Sequence, residues 1–324
     1  MKKISLLPIA CLAMTICANY QPDRQQFVAT WAQMQEHYAQ WDATQKTTLY
    51  INPFWQQKRE RIVSLLRGQP APDYLTHPVL LETMVRTGYG MSQYFEEAFL
   101  QLFLNARTKK YIDQFKDHTL LAHDIASLNC CANSLVHLFY AANVVQATRQ
   151  PLQSIIEFGG GFGSLCHIFK QFFGPATIIL IDIPEFLALQ YLFLKTTLPN
   201  QEIVCCHDIA GINFQPGKIH LVPVWHAQDI TLEPDLFIST FALSEAPAHV
   251  QQMITQKNFF NAGLCYLTGQ INGWRQGATQ CFEDHSIIFD ALPNLYNNLY
   301  CRPLHVYAQQ QFSYEILAQK RAPL

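Results

Sequence analysis

Charged residues are scarce in this 324-residue chain, because Asp, Glu, Lys and Arg together make up only 14% of it. The formal net charge is −2, and Lys and Arg form no run or stripe. A nucleic-acid partner needs a basic surface of that kind, so we expect none. Repeats and low-complexity segments are also absent, and the length suggests one large domain or two modest ones.

Motifs for metals and disulfides are missing as well. None of the ten cysteines has the Cys-x-x-Cys spacing, and the adjacent pairs Cys130-Cys131 and Cys205-Cys206 do not make a zinc ribbon or a disulfide framework. The twelve histidines include no His-Glu-x-x-His pattern, and no paired acidic cluster is present. The sequence therefore predicts reduced, buried thiols and no metal site.

The most informative stretch is residues 154–182, which reads SIIEFGGGFGSLCHIFKQFFGPATIILID. A short apolar strand is followed at once by glycines, and the next apolar residues recur at the helical period. Gly174-Pro175 ends that helix, and a second, β-branched strand ends in Asp182. This order predicts one half of a nucleotide-binding α/β fold: a strand, a glycine turn, a helix, and a second strand that ends in an acid.

Each part of this unit has a chemical reason. Glycines permit positive φ and let backbone approach a ligand, and the helix that follows presents free N–H groups. Asp182, at a strand tip where we expect it to bury little, can accept two hydrogen bonds from a ribose diol. Ser164 occupies the third small position of the dinucleotide fingerprint, which departs from that motif. The spacing is instead Glu-x-Gly-x-Gly-x-Gly, and the acid Glu157 suits a cationic ligand with an amino group.

The rest of the chain divides by its periodicity. Helical patterns dominate the first 150 residues, and strands alternate with helices after Asp182. The predicted helices are 21–66, 79–115, 124–147, 186–198 and 248–260, and the predicted later strands are 202–206, 219–224, 235–240 and 264–269, with a terminal hairpin of 304–308 and 312–320. We predict an α/β fold with a Rossmann-like sheet, mostly parallel with an antiparallel C-terminal hairpin, preceded by an all-helical N-terminal cap. The predicted division is an apolar leader at 1–20, the cap at 21–150 and the α/β domain at 151–324.

With the strand ends placed, the chain resembles the sugar O-methyltransferase family. The stretches that carry the resemblance are IEFGGGFG at 156–163, IDIPE at 181–185, LVPVW at 221–225 and DLFISTFALSE at 235–245, and residues 127–140 are similar to the helix that leads into motif I. The match covers roughly residues 70–275. It implies a class I methyltransferase fold, S-adenosylmethionine as cofactor, and transfer of its methyl group to a hydroxyl of a sugar or glycan.

The resemblance also implies a cofactor site at the carboxyl ends of the strands, where such sheets bind ligands. Glycines would line the methionine and ribose part, Asp182 would hold the ribose hydroxyls, and Glu157 would reach the amino group. Asp208 and Trp225 are candidates for the adenine rim. The predicted cofactor residues are Glu157, Gly159, Gly161, Gly163, Asp182 and Asp208.

A hydroxyl acceptor attacks poorly until its proton is removed, so we expect a general base near the same strand ends. The candidates are His226, Glu245, His249 and His285. His249 lies one helical turn beyond Glu245, close enough to be oriented by it unless Pro247 breaks the turn.

Two other functions are compatible with a sheet of this type. An NAD(P)-dependent Rossmann oxidoreductase is disfavoured by Ser164 and by the lack of a Tyr-x-x-x-Lys pair. A non-enzymatic interaction module is disfavoured by the intact glycine turn and Asp182. Oligomeric state is not indicated by any pattern.

The N-terminus has an uncharged stretch, residues 4–18, after two lysines. It is similar to a secretory signal, but Pro8 interrupts it and no Ala-x-Ala site follows. The stretch is short for a membrane-spanning helix. Since S-adenosylmethionine is made in the cytoplasm, we expect a cytoplasmic protein; export, or membrane contact through residues 1–18, is the alternative.

Overall fold

The computed structural model describes residues 24–44, 46–84, 132–148, 150–208, 213–270, 275–276, 279–280, 286–304 and 313–321. The predicted leader at 1–20, most of the helix predicted at 79–115 and His285 lie outside these residues. No helix in the described segments has the length and apolar character needed to cross a membrane.

The elements before the first strand are helical. They are α1 (Arg24–Asp42), α2 (Pro53–Leu66), α3 (Pro78–Thr83) and α4 (Ala132–Ala147), with short 3-10 turns at Thr47–Leu49 and Tyr74–Thr76. In α1 the residues predicted to share a face are all buried, namely Phe27, Trp31, Met34 and Tyr38. The helix α2 begins at Pro53, and the Asn52 side chain caps it by accepting a hydrogen bond of 2.9 Å from the Trp55 N–H.

The α/β part follows in the predicted alternation. Its first elements are β1 (Ser154–Phe158), α5 (Ser164–Phe173), β2 (Thr177–Asp182), α6 (Pro184–Thr197), β3 (Ile203–Cys205) and β4 (Ile219–Pro223). A 3-10 turn at Val224–Asp229 leads to β5 (Leu236–Thr240), α7 (Ala242–Glu245), α8 (Ala248–Gln256), a 3-10 turn at Asn258–Asn261 and β6 (Leu264–Gln270). The last elements are β7 (Arg275–Gln276), β8 (Thr279–Gln280), α9 (Ser286–Leu295), β9 (Tyr296–Pro303) and β10 (Ser313–Lys320).

The described strands form an eight-stranded sheet in the order β3-β4-β2-β1-β5-β6-β10-β9, beside a small β7-β8 ribbon. All neighbours from β3 to β6 are parallel, and β10 is antiparallel to both β6 and β9. Every residue of β2 is buried, as expected for a parallel strand with both faces covered. The predicted fold class, a mostly parallel sheet with an antiparallel C-terminal pair and N-terminal helices, is confirmed.

One predicted boundary is wrong, and one strand was not predicted. The partner of β10 is β9 (Tyr296–Pro303), which the sequence analysis did not predict, and residues 305–308 of the strand predicted at 304–308 lie outside the described residues. The asparagines and the proline of β9 are poor strand formers, but β9 is an edge strand with a single partner and tolerates them. The helix predicted at 248–260 ends at Gln256, because the next turn is left-handed, with φ of 51° at Phe259 and 57° at Phe260. Both phenylalanines are buried there.

A buried carboxylate fastens the C-terminal strands to the rest of the fold. Glu315 on β10 has no exposed side-chain surface, and it accepts hydrogen bonds from Asn143 on α4 at 2.7 Å and from Arg302 on β9 at 2.7 Å. Tyr300 donates a third at 3.0 Å and Tyr266 a fourth at 2.5 Å. A buried charge of this kind is stabilised only when it is paired and hydrogen-bonded, which these four donors provide.

Candidate cofactor and acceptor site

The glycine turn has the backbone conformation that only glycine adopts at low cost. Gly159, Gly161 and Gly163 have φ of 77°, 57° and 98°. The Gly163 N–H donates to the Gly160 carbonyl at 2.9 Å, which closes the turn before α5 begins. The predicted strand, turn and helix therefore stand in the expected order.

The three glycines are required for different reasons. A Cβ atom on Gly159 would lie 1.9 Å from the Cβ of Ala242, and one on Gly163 would lie 3.2 Å from Leu194. These two positions let α7 and α6 pack closely. Among the described residues, a Cβ on Gly161 would meet only the side chain of Met84, whose sulfur would lie 3.6 Å away. Gly161 is thus the turn position where a flexible side chain, not packed backbone, covers the glycine.

Glu157, the acid of β1, is a buried carboxyl group with incomplete hydrogen bonding. Its side chain is 1% exposed, and Oε2 has no hydrogen-bond partner in the described segments. Burial, and then the neighbouring carboxyl of Asp182, raise the pKa of Glu157 to about 8. A buried acid in this state favours a ligand that brings a positive charge or a hydrogen-bond donor.

Asp182 lies at the end of the adjacent strand. The expectation that this side chain is mostly exposed is wrong, because Asp182 is only 7% exposed. Its Oδ1 accepts from the Ile183 N–H at 2.9 Å, and its Oδ2 accepts from the Gln190 amide at 2.8 Å. Burial raises the pKa of Asp182 to about 8, although these hydrogen bonds oppose the shift. The backbone N–H of Gly161 acts on the same carboxylate, and it also opposes the rise in pKa. A carboxylate has about four acceptor positions, so capacity for a further donor remains.

Gln190 is a site residue that the sequence analysis missed. Its Nε2 donates both to Asp182 and to the Gly161 carbonyl, the latter at 3.1 Å, so it ties the strand-tip acid to the glycine turn. The side chain is fully buried in α6. The available signal was a lone amide within the otherwise apolar run FLALQYLFL.

The turn and the two acids suit a ligand with an ammonium group and a ribose diol. The unpartnered Oε2 of Glu157 would take the ammonium, and the remaining acceptor capacity of Asp182 would take the diol. The backbone at Gly161 would face the ligand once the Met84 side chain moves. These residues fit S-adenosylmethionine.

Asp208 lies apart from this group. It follows β3, the edge strand, and β4 and β2 stand between β3 and β1. Three strand spacings amount to about 14 Å. The side chain of Asp208 is exposed, so the structure does not bring it together with Glu157 and Asp182.

His226, in the turn after β4, is a base candidate whose imidazole lies next to a carboxylate. Its Nδ1 lies 3.4 Å from Oδ2 of Asp229, and the side chain is 17% exposed. Trp225 before it is buried, and the ring of Tyr50 lies 6.2 Å from the Trp225 ring. His226 therefore stands at the carboxyl end of β4 beside an aromatic wall.

Glu245 and His249 are not one turn apart on a single helix. The helix α7 ends at Glu245, the backbone is extended at Ala246 and Pro247, and α8 starts afresh at Ala248. Oε2 of Glu245 accepts a hydrogen bond of 3.0 Å from the Trp55 indole. His249 is exposed, with its ring 6.0 Å from that of Tyr50.

The N-terminal helices reach this edge of the sheet, which the sequence analysis did not predict. Tyr50 contacts the turn after β4, Trp55 contacts Glu245 and packs 5.2 Å from Phe186, and Met84 covers Gly161. The carboxyl edge is thus enclosed by residues from both halves of the chain. Among the described residues no three His, Cys, Asp or Glu side chains gather in a metal-binding group.

The strand order, with one antiparallel strand inserted before the last, and the glycine turn after β1 define a Rossmann-like sheet of the class I methyltransferase type. No known protein family and no curated protein matches the chain.

Several solved structures that are similar to the chain are methyltransferases, all at low identity. Magnesium protoporphyrin IX methyltransferase from Synechocystis PCC 6803 with bound SAH has a TM-score of 0.42 and 12% identity, over 71% of this chain and 95% of that one. The mitomycin 7-O-methyltransferase MmcR has a TM-score of 0.39 and 12% identity, over 83% and 69%. The small RNA methyltransferase HEN1 has a TM-score of 0.41 and 12% identity over 57% of this chain, which spans only 25% of that protein. At this identity the likeness concerns the fold alone.

Proposed function

We propose that the protein is an S-adenosylmethionine-dependent O-methyltransferase. The observation that carries the proposal is the pair of buried acids, Glu157 and Asp182, at adjacent strand ends beside a glycine turn. Burial raises the pKa of both, and none of the described hydrogen bonds or ion pairs joins either acid to Lys or Arg. A buried acidic pair without a cation is costly unless a ligand supplies the missing donors.

Each residue of the pair has its own task. When bound, S-adenosylmethionine supplies a methyl group already activated by the sulfonium. Glu157 would hold the ammonium through Oε2, and Asp182 would hold the ribose hydroxyls, while Gln190 keeps the Asp182 carboxylate oriented. Once the Met84 side chain moves aside, the backbone at Gly161 would admit the ligand without a Cβ atom in the way.

The acceptor in this proposal is a hydroxyl group, of a sugar or glycan, as the resemblance to sugar O-methyltransferases implies. His226 is the preferred base, because Asp229 beside Nδ1 favours the tautomer that leaves Nε2 free for the proton of the acceptor. The rings of Tyr50 and Trp225 provide an apolar wall on which the acceptor can lie. His249 and Glu245 remain second candidates at the same edge.

Titration calorimetry with S-adenosylhomocysteine and with NADH, run in parallel, tests the cofactor. We expect heat of binding from the first ligand and none from the second. Binding of NADH alone would support a Rossmann oxidoreductase, and binding of neither would favour an interaction module. Transfer of a labelled methyl group to a panel of nucleotide sugars and glycans then tests the acceptor class.

A further inference from the structure

We propose that a cleft between α1 and α2, here called the Arg59 cleft, binds a neutral, polyhydroxylated molecule such as a saccharide. The cleft has a volume of about 720 Å³. Sites for small molecules commonly measure about 300–1,000 Å³. Its polar lining consists of Gln35, Tyr38, Asp42, Thr47, Thr48, Arg59 and Arg67.

The charged groups of the cleft are held in place by one another. The two oxygens of Asp42 accept from different guanidinium groups, Arg59 through Nη2 at 2.9 Å and Arg67 through Nη2 at 2.9 Å. Arg59 also donates from Nε to Glu185 at 2.6 Å, and the Glu185 side chain is fully buried. Such a network fixes the donors before a ligand arrives, so little ordering is needed on binding.

The charges of this network cancel. Arg59 and Arg67 contribute two positive charges, and Asp42 and Glu185 contribute two negative ones, so the sum is zero. An anion would have to compete with Asp42 for the guanidinium groups, and a cation would have to compete with the guanidinium groups for Asp42. The balance therefore favours an uncharged ligand.

The hydrogen-bonding capacity left in the cleft is mixed. Arg67 uses only Nη2 in the hydrogen bonds of the described segments, which leaves Nε and Nη1 as donors. Gln35 donates hydrogen bonds from its side-chain amide to the carbonyls of Leu66 and Gly68, at 2.9 and 3.0 Å, and its Oε1 remains available as an acceptor. Thr47 is 1% exposed, and its hydroxyl has no partner among the described residues. Hydroxyl groups both donate and accept, so a polyol matches this mixture.

The cleft adjoins the candidate cofactor site. Glu185, which holds Arg59, lies in the first turn of α6, and that helix starts directly after Asp182 at the end of β2. If the proposed methyl transfer holds, the Arg59 cleft is suited to the part of a glycan acceptor that lies away from the methylated hydroxyl. This last link rests on the proposed function, whereas saccharide binding does not.

Saturation-transfer NMR on the full chain without cofactor tests the cleft. The probes are maltotriose and trehalose as neutral saccharides, glucuronic acid and methyl phosphate as anions, and putrescine as a cation. We expect transfer to the neutral saccharides only. Arg67→Gln, at a side chain 64% exposed, should fold and bind the saccharide about tenfold more weakly, which is about 1.4 kcal/mol. Arg61→Gln, on the same helix but paired with Glu82 outside the cleft, should bind as the parent does.

Asp42→Asn tests the charge argument directly. It leaves two guanidinium groups against one acid, so we expect glucuronic acid to gain binding over the parent. Preferential binding of methyl phosphate, glucuronic acid or putrescine to the parent would overturn the proposal. So would saccharide binding that Arg67→Gln leaves unchanged, or no binding of either saccharide. Calorimetry with S-adenosylhomocysteine separates the two proposals. If S-adenosylhomocysteine binds and the saccharides do not, only the proposed saccharide site in the Arg59 cleft is refuted. If the saccharides bind and S-adenosylhomocysteine does not, only the proposed cofactor site is refuted.

Discussion

Replacing Glu157 by Gln removes a buried ionisable group and keeps the shape of the side chain. In the folded protein burial raises the pKa of Glu157 to about 8, above its ordinary value of 4.5. Between these two pH values the folded state holds a proton that the unfolded state releases. The free energy of unfolding therefore falls as the pH rises from about 4.5 to 8, and the contribution is fully present only below that window.

The magnitude follows from the linkage between protons and stability. One such group lowers the free energy of unfolding by at most about 1.4 kcal/mol for each pH unit. From pH 5 to pH 8 the upper bound is about 4 kcal/mol. Gln does not titrate, so the Glu157→Gln variant should lose stability less steeply over this range. Asp182 titrates with the same sign in both proteins, so the difference between them reports Glu157 together with its coupling to Asp182.

The assay is thermal and urea unfolding of the ligand-free protein at several pH values between 5 and 8.5. Glu60→Gln is the matched control, because Glu60 is exposed, and its pH profile should follow that of the parent. The same variants are then titrated with S-adenosylhomocysteine. A hydrogen bond to a charged group contributes roughly 1.5–3 kcal/mol, so Glu157→Gln should bind between about tenfold and a hundredfold more weakly.

The two readouts have separate consequences. Identical pH profiles for the parent and Glu157→Gln would mean that the carboxyl is ionised at ordinary pH, which would refute the argument from burial. Unchanged affinity in a folded variant would remove Glu157 from the cofactor site. Since the ammonium stabilises the carboxylate, ligand binding near pH 7 should also release a proton, seen as a binding heat that depends on the buffer.

Three further predictions concern the turn, the second acid and the base. Gly161→Ala and Gly174→Ala both place a Cβ atom on a residue with positive φ, 57° and 31° respectively, so each should lower the free energy of unfolding by about 1–3 kcal/mol. Only Gly161→Ala should also weaken S-adenosylhomocysteine binding, as measured by calorimetry. Asp182→Ala should weaken that binding at least about tenfold. It should also lower the melting temperature, because two hydrogen bonds that Asp182 accepts are lost. Unchanged affinity in a folded variant would contradict a role for Asp182 in cofactor binding. His226→Gln should reduce methyl transfer about 10²–10⁴-fold with cofactor affinity intact; a similar loss in His249→Gln alone would assign the base to that residue instead.

The unit from β1 to β2 could be predicted because its signals are local. Two short β-branched runs, a cluster of glycines and one amphipathic period stand within residues 154–182, and neighbouring residues determine each of these elements. The strand β9 and the left-handed turn at Asn258–Asn261 could not be predicted in the same way. The strand β9 depends on its position at the edge of the sheet, and the left-handed turn accompanies the burial of Phe259 and Phe260. Both are features of tertiary packing.

The candidate site shows the same limit. The sequence located the acids Glu157 and Asp182 at strand ends, since parallel strands bring their carboxyl ends to one edge. It could not show that Asp182 is buried under Gln190, because that contact joins a strand tip to a helix face eight residues on. It also could not show that Trp55 holds Glu245, a pair separated by 190 positions.

The contacts from the N-terminal helices change how the site is understood. Trp55 holds Glu245 after β5, Arg59 holds Glu185 after β2, and Met84 lies over Gly161 after β1. Each contact is made just beyond the carboxyl end of a strand, where a ligand of this sheet would bind. A ligand that reaches Gly161 must therefore displace the Met84 thioether, so binding at the glycine turn and the position of the N-terminal helices are physically linked.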